Sequence, residues 1–556
     1  MAYLNRTLVA MASATLLCGC ASSPPSTSGT GAQLFSGMGR HTRPVTTTDR
    51  LAQRYFDQAL TWTYAFNHDE AIRSYSEVAA LDPDCAMAWW GVALCHGPHI
   101  NNPVMPEERR AAAWEALQKA RSLEAKASPV ERDLIRALSK RYSADFGADR
   151  EPMDRAYAEA MLGVWAAHPE DADVGTLTAE ALMDLQPWDL WTRAGEAKGR
   201  TREIVAILER VMELDPGHPG ALHLYIHAME ASPEAHKAVP AADRLRRLVP
   251  TAGHLVHMPA HIDVRVGRWD QASDSNVRAA RADAAYRRKS PNQGFYHLYM
   301  AHNHHFLAYS AMMEGRFETA LDAARDMLAG IPPEFLETSA AVADAYTSIE
   351  FQVLTRFGKW DEVLAVPEPP SVLPITRAMW RFARGTALAA KGDLAGARKE
   401  QEALRVATLE VPEEAMTAIN VAHDVLAIAE LVLEGEIAFR EGDISKADTL
   451  LRDAAHREDN LVYMEPPEWI QPVRHSLGAI LLVNGRAAEA AEVYREDLER
   501  WPENGWALHG LASALRATGA TAEAAEAETR FRKAWRRADT VIEASCLCVL
   551  DRTSSR

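Results

Sequence analysis

The chain is poor in cysteine, with six in 556 residues, and poor in long apolar runs. The first scarcity excludes a disulfide-framed fold. The second excludes a membrane-crossing helix in the body of the chain, since a crossing needs about 20 consecutive apolar residues. Also missing are a glycine-rich nucleotide loop, a G-x-S-x-G elbow, the kinase motif set and a C-x-x-C redox pair, which sets aside the commonest cytosolic enzyme classes. Basic residues are outnumbered, 60 Lys and Arg against 77 Asp and Glu, for a formal net charge of −17. No polybasic run breaks that balance, so neither a nucleic-acid groove nor an anionic membrane surface is an expected partner. What is present is core: 47% apolar and 25% charged residues, a globular composition.

The first twenty residues read as a targeting segment. Arg6 precedes an apolar stretch from Leu8 to Leu17 that has the length of a secretory signal core and is too short to span a bilayer. It ends in Leu17-Cys18-Gly19-Cys20, which resembles a bacterial lipoprotein cleavage box. That resemblance implies removal of residues 1–19 and acylation of Cys20. With Ala21 rather than Asp next, it also implies an outer-membrane anchor on the periplasmic side, the chain's only contact with a membrane. Residues 20–47, rich in Ser, Pro, Thr and Gly, are expected to form the acylated end and a flexible tether. Cys85 and Cys95 lie ten residues apart on one predicted helix, roughly 15 Å, beyond disulfide reach. Cys546 and Cys548 fall in an apolar C-terminal tail, residues 541–556.

Between these ends the pattern is helical and repetitive. In the run DEAIRSYSEVAALDP, Ala71, Tyr75 and Pro83 stand where the second helix of a tetratricopeptide repeat closes, and the chain resembles that family over nearly its whole mature length. The resemblance implies an all-α, right-handed superhelical solenoid of about eleven TPR-like hairpins over residues 48–540. Carried along in a 34-residue register, repeats begin near residues 52, 86, 185, 219, 253, 301, 344, 378, 428, 471 and 505. The best are 219–252, with Ala238 and Pro250, and the pair from 471, with Ala490, Tyr494, Pro502 and Ala524. Turn glycines Gly315, Gly358 and Gly392 recur 127 residues later as Gly442, Gly485 and Gly519, which hints at duplication of a three-repeat block. Residues 100–184 are helical but off-register, and 286–300 and 405–427 read as insertions. Pro187, Trp188 and Trp191 break the first helix of the repeat from 185. Trp62, Trp89, Tyr75 and Tyr494 read as core.

Histidine is what the repeats present in place of the usual polar groove residues. His223, His227, His254, His257, His261, His302 and His305 occupy the runs HLYIH, GHLVHMPAH and HNHH, and 223/227 and 257/261 are i, i+4 pairs on one helix face. By the family register, the fifth residue of each repeat lines a concave binding groove. Five of eleven such residues are histidine (His223, His257, His305, His475 and His509), against about 0.4 expected from 20 histidines in 556 residues. His227 and His261 follow as ninth residues, His254 and His302 as second residues, and Glu230 shares the face of His223 and His227. Whether His475 and His509 join the central cluster depends on how far the superhelix closes.

Imidazoles in such numbers suit a transition metal or proton transfer near neutral pH. A thiolate-free donor set fits Cu, Zn or Fe. The zincin H-E-x-x-H arrangement is absent, and Glu230 is left open as ligand, orienting partner or base. Pro259, between His257 and His261, is tolerated in a helix only if that helix starts near Val256. His168, His218 and His456 read as surface or turn residues, and Cys95, His96 and His99 as structural. Two functions remain in view: a periplasmic metal site with metal-dependent chemistry on an unnamed substrate, or a scaffold that binds a protein or peptide partner without metal. In both, Glu230, Arg265, His475 and His509 belong to the groove. Family members that clamp peptide carboxylates line it with Lys, Arg and Asn, and here Arg265 is the clearest basic residue.

Overall fold

The computed structural model describes residues 31–290, 293–331 and 340–550, so the expected signal segment and Cys20 lie outside the described residues. The fold is all-α, an array of antiparallel helical hairpins. The one exception among the described residues is a short β-hairpin, β1 Met416–Thr417 and β2 Asn420–Val421, inside the expected insertion 405–427. The chain divides into two compact units, 21–262 with 275–300 and 263–274 with 301–556.

The first unit runs through α1 Arg50–Tyr64, α2 His68–Leu81, α3 Ala86–His96, α4 Glu107–Ser122, α5 Pro129–Leu138, α6 Glu151–Ala167, α7 Ala172–Met183 and α8 Thr201–Leu214. It continues with α9 Pro219–Glu230, α10 Val239–Leu245, α11 Gly253–His257, α12 Pro259–Arg265 and α13 Trp269–Lys289, the last two crossing the division. Local chemistry sets the starts. Asp49 accepts hydrogen bonds from the Leu51 and Ala52 N–H groups, and Asp171 accepts from that of Val174. His218 caps α9 through Nδ1, with Pro219 as the first helical residue. Successive helices pack in pairs, and α9 also lies against α1. Glycine allows the closest approaches: a Cβ on Gly91 would meet the Tyr75 ring at 2.5 Å, and one on Gly220 would meet Tyr64 at 2.5 Å.

Most repeat starts fall within a few residues of a helix start, but the one placed at 185 does not. Residues 184–200 form an irregular loop, with Trp188 at φ +63°, and the first helix of that hairpin is α7 upstream. Pro187 and Trp188 mark the end of a helix rather than a distorted one. Pro259 likewise opens α12, while the preceding helix begins earlier than expected, at Gly253. The chain therefore bends between His257 and His261, which relieves the missing proline N–H.

The expected tether is shorter than 20–47. Phe35 is buried, with its ring 5.5 Å from that of Trp62 and 5.7 Å from that of Tyr286. Arg43 pairs with Asp171 at 2.7 Å and Asp173 at 3.1 Å, and the Thr46 N–H donates to Glu131 at 2.7 Å. A polar composition with one well-placed aromatic was enough to dock this segment.

The second unit includes α14 His297–Met313 from Ala301 on, α15 Phe317–Ala329, α16 Ile349–Arg356, α17 Trp360–Ala365, α18 Pro374–Ala390 and α19 Leu394–Glu410. It goes on through α20 Ala422–Arg440, α21 Ile444–Asn460, α22 Val473–Val483, α23 Ala487–Arg500, α24 Gly505–Ala517 and α25 Thr521–Ala534. Within it α18 packs on α19 and α20, and α24 on α23 and α25. The turn glycines Gly315 and Gly442 sit at φ +74° and +87°, a region that strains other residues. Trp62, Tyr75 and Tyr494 are fully buried as expected, and Trp89 is half-buried. The tail beyond 541 is no loose end: the Ser545 hydroxyl donates to the His475 carbonyl at 2.8 Å, and Cys546 is bonded to Cys548.

Candidate functional site

Five of the seven histidines converge inside the first unit, and the structure corrects their setting. His223, His227, His254, His257 and His261 are at most 5% exposed, so they are core residues rather than the lining of an open groove. Their rings form a closed circuit. Centroid separations are 4.8 Å for 227/223, 4.9 Å for 223/254, 6.0 Å for 254/257, 4.8 Å for 257/261 and 6.0 Å for 261/227.

Each ring is oriented through one nitrogen. His223 Nδ1 donates to the Tyr64 carbonyl at 2.7 Å, which leaves Nε2 as a lone pair 3.1 Å from His254 Nε2. Glu230 bridges two more, with Oε1 2.9 Å from His227 Nδ1 and Oε2 2.6 Å from His261 Nδ1. A carboxylate only accepts, so both Nδ1 atoms carry hydrogen and both Nε2 atoms present lone pairs. His257 Nδ1 meets Asn276 Oδ1 at 2.7 Å, and its Nε2 lies 2.9 Å from His261 Nε2. Of the three roles left open for Glu230, the orienting one is what its contacts support.

His223, His227 and His254 form one group, each offering a nitrogen within 4.8 Å of the other two. His227 Nε2 is buried with no hydrogen-bond partner. Two nitrogens bound to one ion at about 2.0–2.1 Å stand about 2.9 Å apart at a right angle and about 3.3 Å apart at the tetrahedral angle. The 3.1 Å separation of His223 and His254 falls in that interval.

Burial governs the protonation of these groups. It holds His223 well below its usual pKa, with His227 adding to the effect, and it lowers His227 as well. Burial alone would raise the Glu230 carboxyl, but His261 and His227 outweigh it and hold it at about 2. Burial therefore favours the neutral imidazole at His223 and His227, the state in which histidine ligates.

Sequence reading missed the wall of this chamber. Phe66, in the α1–α2 turn at φ +56°, stacks on His99 at 4.3 Å and lies 4.5 Å from the His223 ring. His68 and His99 are buried beside it, with centroids 4.6 Å apart, and burial pushes His68 down to about 3. No periodicity marks these residues, and the one available signal was an aromatic directly before the polar run Asn67-His68-Asp69-Glu70. His99 is buried, His456 is exposed and His168 half-buried. His218 is instead fully buried, with Nε2 3.1 Å from Asp173.

The other expected groove residues belong to the second unit. His302 and His305 on α14 are half-buried, His302 against Phe306 at 5.9 Å and His305 against Tyr346 at 5.4 Å. His475 is fully buried, with Nδ1 accepting from Arg356 at 2.8 Å and Nε2 facing Asp497 at 2.9 Å. With both ring nitrogens engaged it is a structural residue. His509 is half-buried against Phe531 at 5.2 Å, and Arg265 lies over the Tyr463 ring at 5.1 Å.

No protein-family model matches the chain, and no curated protein matches it. Solved structures are similar to it at low identity. The APC/C hetero-tetramer Cut9–Hcn1 aligns at TM-score 0.29 and 12% identity, over 87% of this chain and 76% of that one. A human IFIT1 dimer with m7Gppp-AAAA aligns at 0.28 and 11%, over 88% and 90%. Yeast Tom70 aligns at 0.28 and 13%, over 87% and 91%. Similarity at this level carries no argument about function.

Proposed function

We propose that the buried histidine cluster holds a transition-metal ion, Cu, Zn or Fe, on the Nε2 atoms of His223, His227 and His254, with His257 and His261 as a neighbouring donor pair. The observation that carries this reading is the unpartnered Nε2 of His227, in a residue grouped within 4.8 Å with two imidazoles whose own Nε2 atoms stand 3.1 Å apart. Burying a polar atom without a partner costs about 1–3 kcal/mol, and an ion would supply the partner. Oriented second nitrogens support the same reading, because ligating histidines are held in this way by carboxylates and backbone carbonyls. Three protein nitrogens leave a fourth position for water or substrate, as metal-assisted hydrolysis or redox chemistry requires.

The half-buried His302, His305 and His509 favour a second role for the array, contact with a protein or peptide partner in the manner of helical repeats. With Cys20 acylated, both roles would be exercised at the outer membrane on its periplasmic side.

The test is elemental analysis of untagged protein from the periplasm, followed by titration with Zn and Cu. Close to one tightly held ion per chain is expected. Less than about 0.1 equivalent, with no uptake on titration, would sink the proposal. The double variant His223→Ala with His257→Ala should lose stoichiometric uptake and keep its helical circular dichroism.

A further inference from the structure

A second chemical site lies in the other unit and is independent of the histidines. Its cavity is lined by Cys546, Cys548, Glu436, Arg356, Trp469 and Phe382. Cys546 and Cys548 are joined as a disulfide across one intervening residue. A disulfide stabilises a fold mainly by closing a loop in the unfolded chain, an effect that shrinks with loop length. This one closes the shortest of loops, so structural bracing accounts poorly for it.

The surroundings are those of a reacting sulfur. Cys546 Sγ accepts the Cys548 backbone N–H at 3.3 Å and the Ser476 hydroxyl at 3.4 Å. Glu436 Oε1 stands 4.0 Å from the same sulfur, and Glu436 Oε2 is buried without a hydrogen-bond partner. Backbone N–H and hydroxyl donors are what stabilise a thiolate, and a carboxyl within reach can give or take its proton.

We propose that Cys546 and Cys548 are a redox-active pair that exchanges with a small-molecule thiol in this cavity, with Glu436 carrying the proton of the departing sulfur. A thiolate attacks Cys548 Sγ and the Cys546–Cys548 bond breaks. The Cys546 thiolate, held by the Cys548 N–H and Ser476, takes a proton from Glu436. A second thiol then gives its proton to Glu436 and attacks the external sulfur of the mixed disulfide, and the Cys548 thiolate so released is protonated by solvent after the first thiol has ionised. One protein disulfide and two thiols become one protein dithiol and one external disulfide, a two-electron exchange. Burial raises Glu436 to about 7, so near neutral pH the carboxyl is poised both to give and to take a proton. The other charged groups facing it are Arg440, one turn along α20, and Arg356, across the cavity.

The test uses the full folded chain, β-mercaptoethanol as the thiol, then iodoacetamide and peptide mass mapping. Cys546 and Cys548, which are 4% exposed but line the cavity, should both be alkylated in native protein, while Cys85 and Cys95, buried away from it, stay unlabelled. Labelling of the pair only in denaturant, together with Cys85 and Cys95, would overturn the proposal. Glu436→Gln should slow exchange about tenfold and flatten its pH dependence without changing the unfolding temperature. An unaltered rate and profile would remove Glu436 from the scheme. If E436Q does not fold, the wild-type pH profile decides: an inflection near 7 is expected, and a single inflection at the pKa of β-mercaptoethanol itself overturns the proton-carrier role.

Discussion

Replacing Glu230 with Gln changes one atom and should disarm one ligand. The carboxylate accepts from His227 Nδ1 at 2.9 Å, which fixes that ring with Nε2 as the lone pair, and makes an ion-pair contact of 2.6 Å with His261 Nδ1. An amide accepts at one end and donates at the other, so one of the two histidines must turn to the tautomer with hydrogen on Nε2. That atom then cannot bind an ion. Loss of an orienting partner of this kind costs about 10–100-fold in metal affinity, or about 1.4–2.7 kcal/mol. The assay is competitive titration of the metal against a chelator, with circular dichroism to confirm the fold. An affinity within twofold of the unmodified protein, at unchanged helicity, would refute the orienting role. Glu230→Asp keeps two accepting oxygens and should lose less than Glu230→Gln.

Metal affinity should change little between pH 7.5 and 6.0, because burial holds His223 well below its usual range and lowers His227 as well. Three exposed histidines of ordinary pKa would lose about 50-fold over that range, and a loss of that size would contradict the burial argument. His68, pushed down to about 3, stays neutral in the native chain while the unfolded chain takes up a proton below 6.5. The unfolded state therefore binds more protons, and stability present above 6.5 is lost as pH falls toward 3. His68→Gln should reduce the acid slope of urea-unfolding free energy between pH 6 and 4.5 by about 1.4 kcal/mol per pH unit, and an equal slope would count against it. Gly510→Ala sets helix propensity, a gain of about 1 kcal/mol, against a Cβ whose nearest atom would be Tyr494 Cζ. At 2.2 Å that contact forces Tyr494 to move, and overpacking of about 1–3 kcal/mol should win as a lower unfolding temperature. A stabilised variant would deny the close approach.

Repeat boundaries and the histidine cluster were legible because both are written locally. Small residues and closing prolines mark each hairpin, and His223/His227 and His257/His261 share helix faces by spacing alone. What stayed hidden depends on contacts far apart in the chain. His223 is held by the carbonyl of Tyr64, 159 residues away, and no pattern near either residue announces it. The same holds for Phe66, which completes the chamber from a turn, and for Phe35, which docks a stretch whose composition reads as tether. The family register placed fifth residues in an open groove, yet His223, His257 and His475 are fully buried. Register gives the face of a helix, and what covers that face is a tertiary property. The repeat start placed at 185 failed for the opposite reason: the 34-residue step was carried through a loop, where local breakers outweighed periodicity.

Whether the cluster is a ligand set or a satisfied core network turns on counting hydrogens. The Tyr64 carbonyl and the Glu230 carboxylate only accept, so His223, His227 and His261 each carry hydrogen on Nδ1 and none on Nε2. In the neutral cluster His254 can place its hydrogen on Nε2 and donate to His223, which satisfies that pair. His257 and His261 can pair likewise if the Asn276 amide is turned to donate, an orientation set by the network rather than by the density of atoms. His227 has no such recourse, because its Nε2 faces neither donor nor solvent. A core selected only for stability would replace it with an apolar ring at little cost, since a half-satisfied buried network is worse than none. Entry of an ion would need no deprotonation of His223 or His227 and only a shift of the His254 hydrogen from Nε2 to Nδ1. The arrangement thus costs stability at the atom where an ion would recover it.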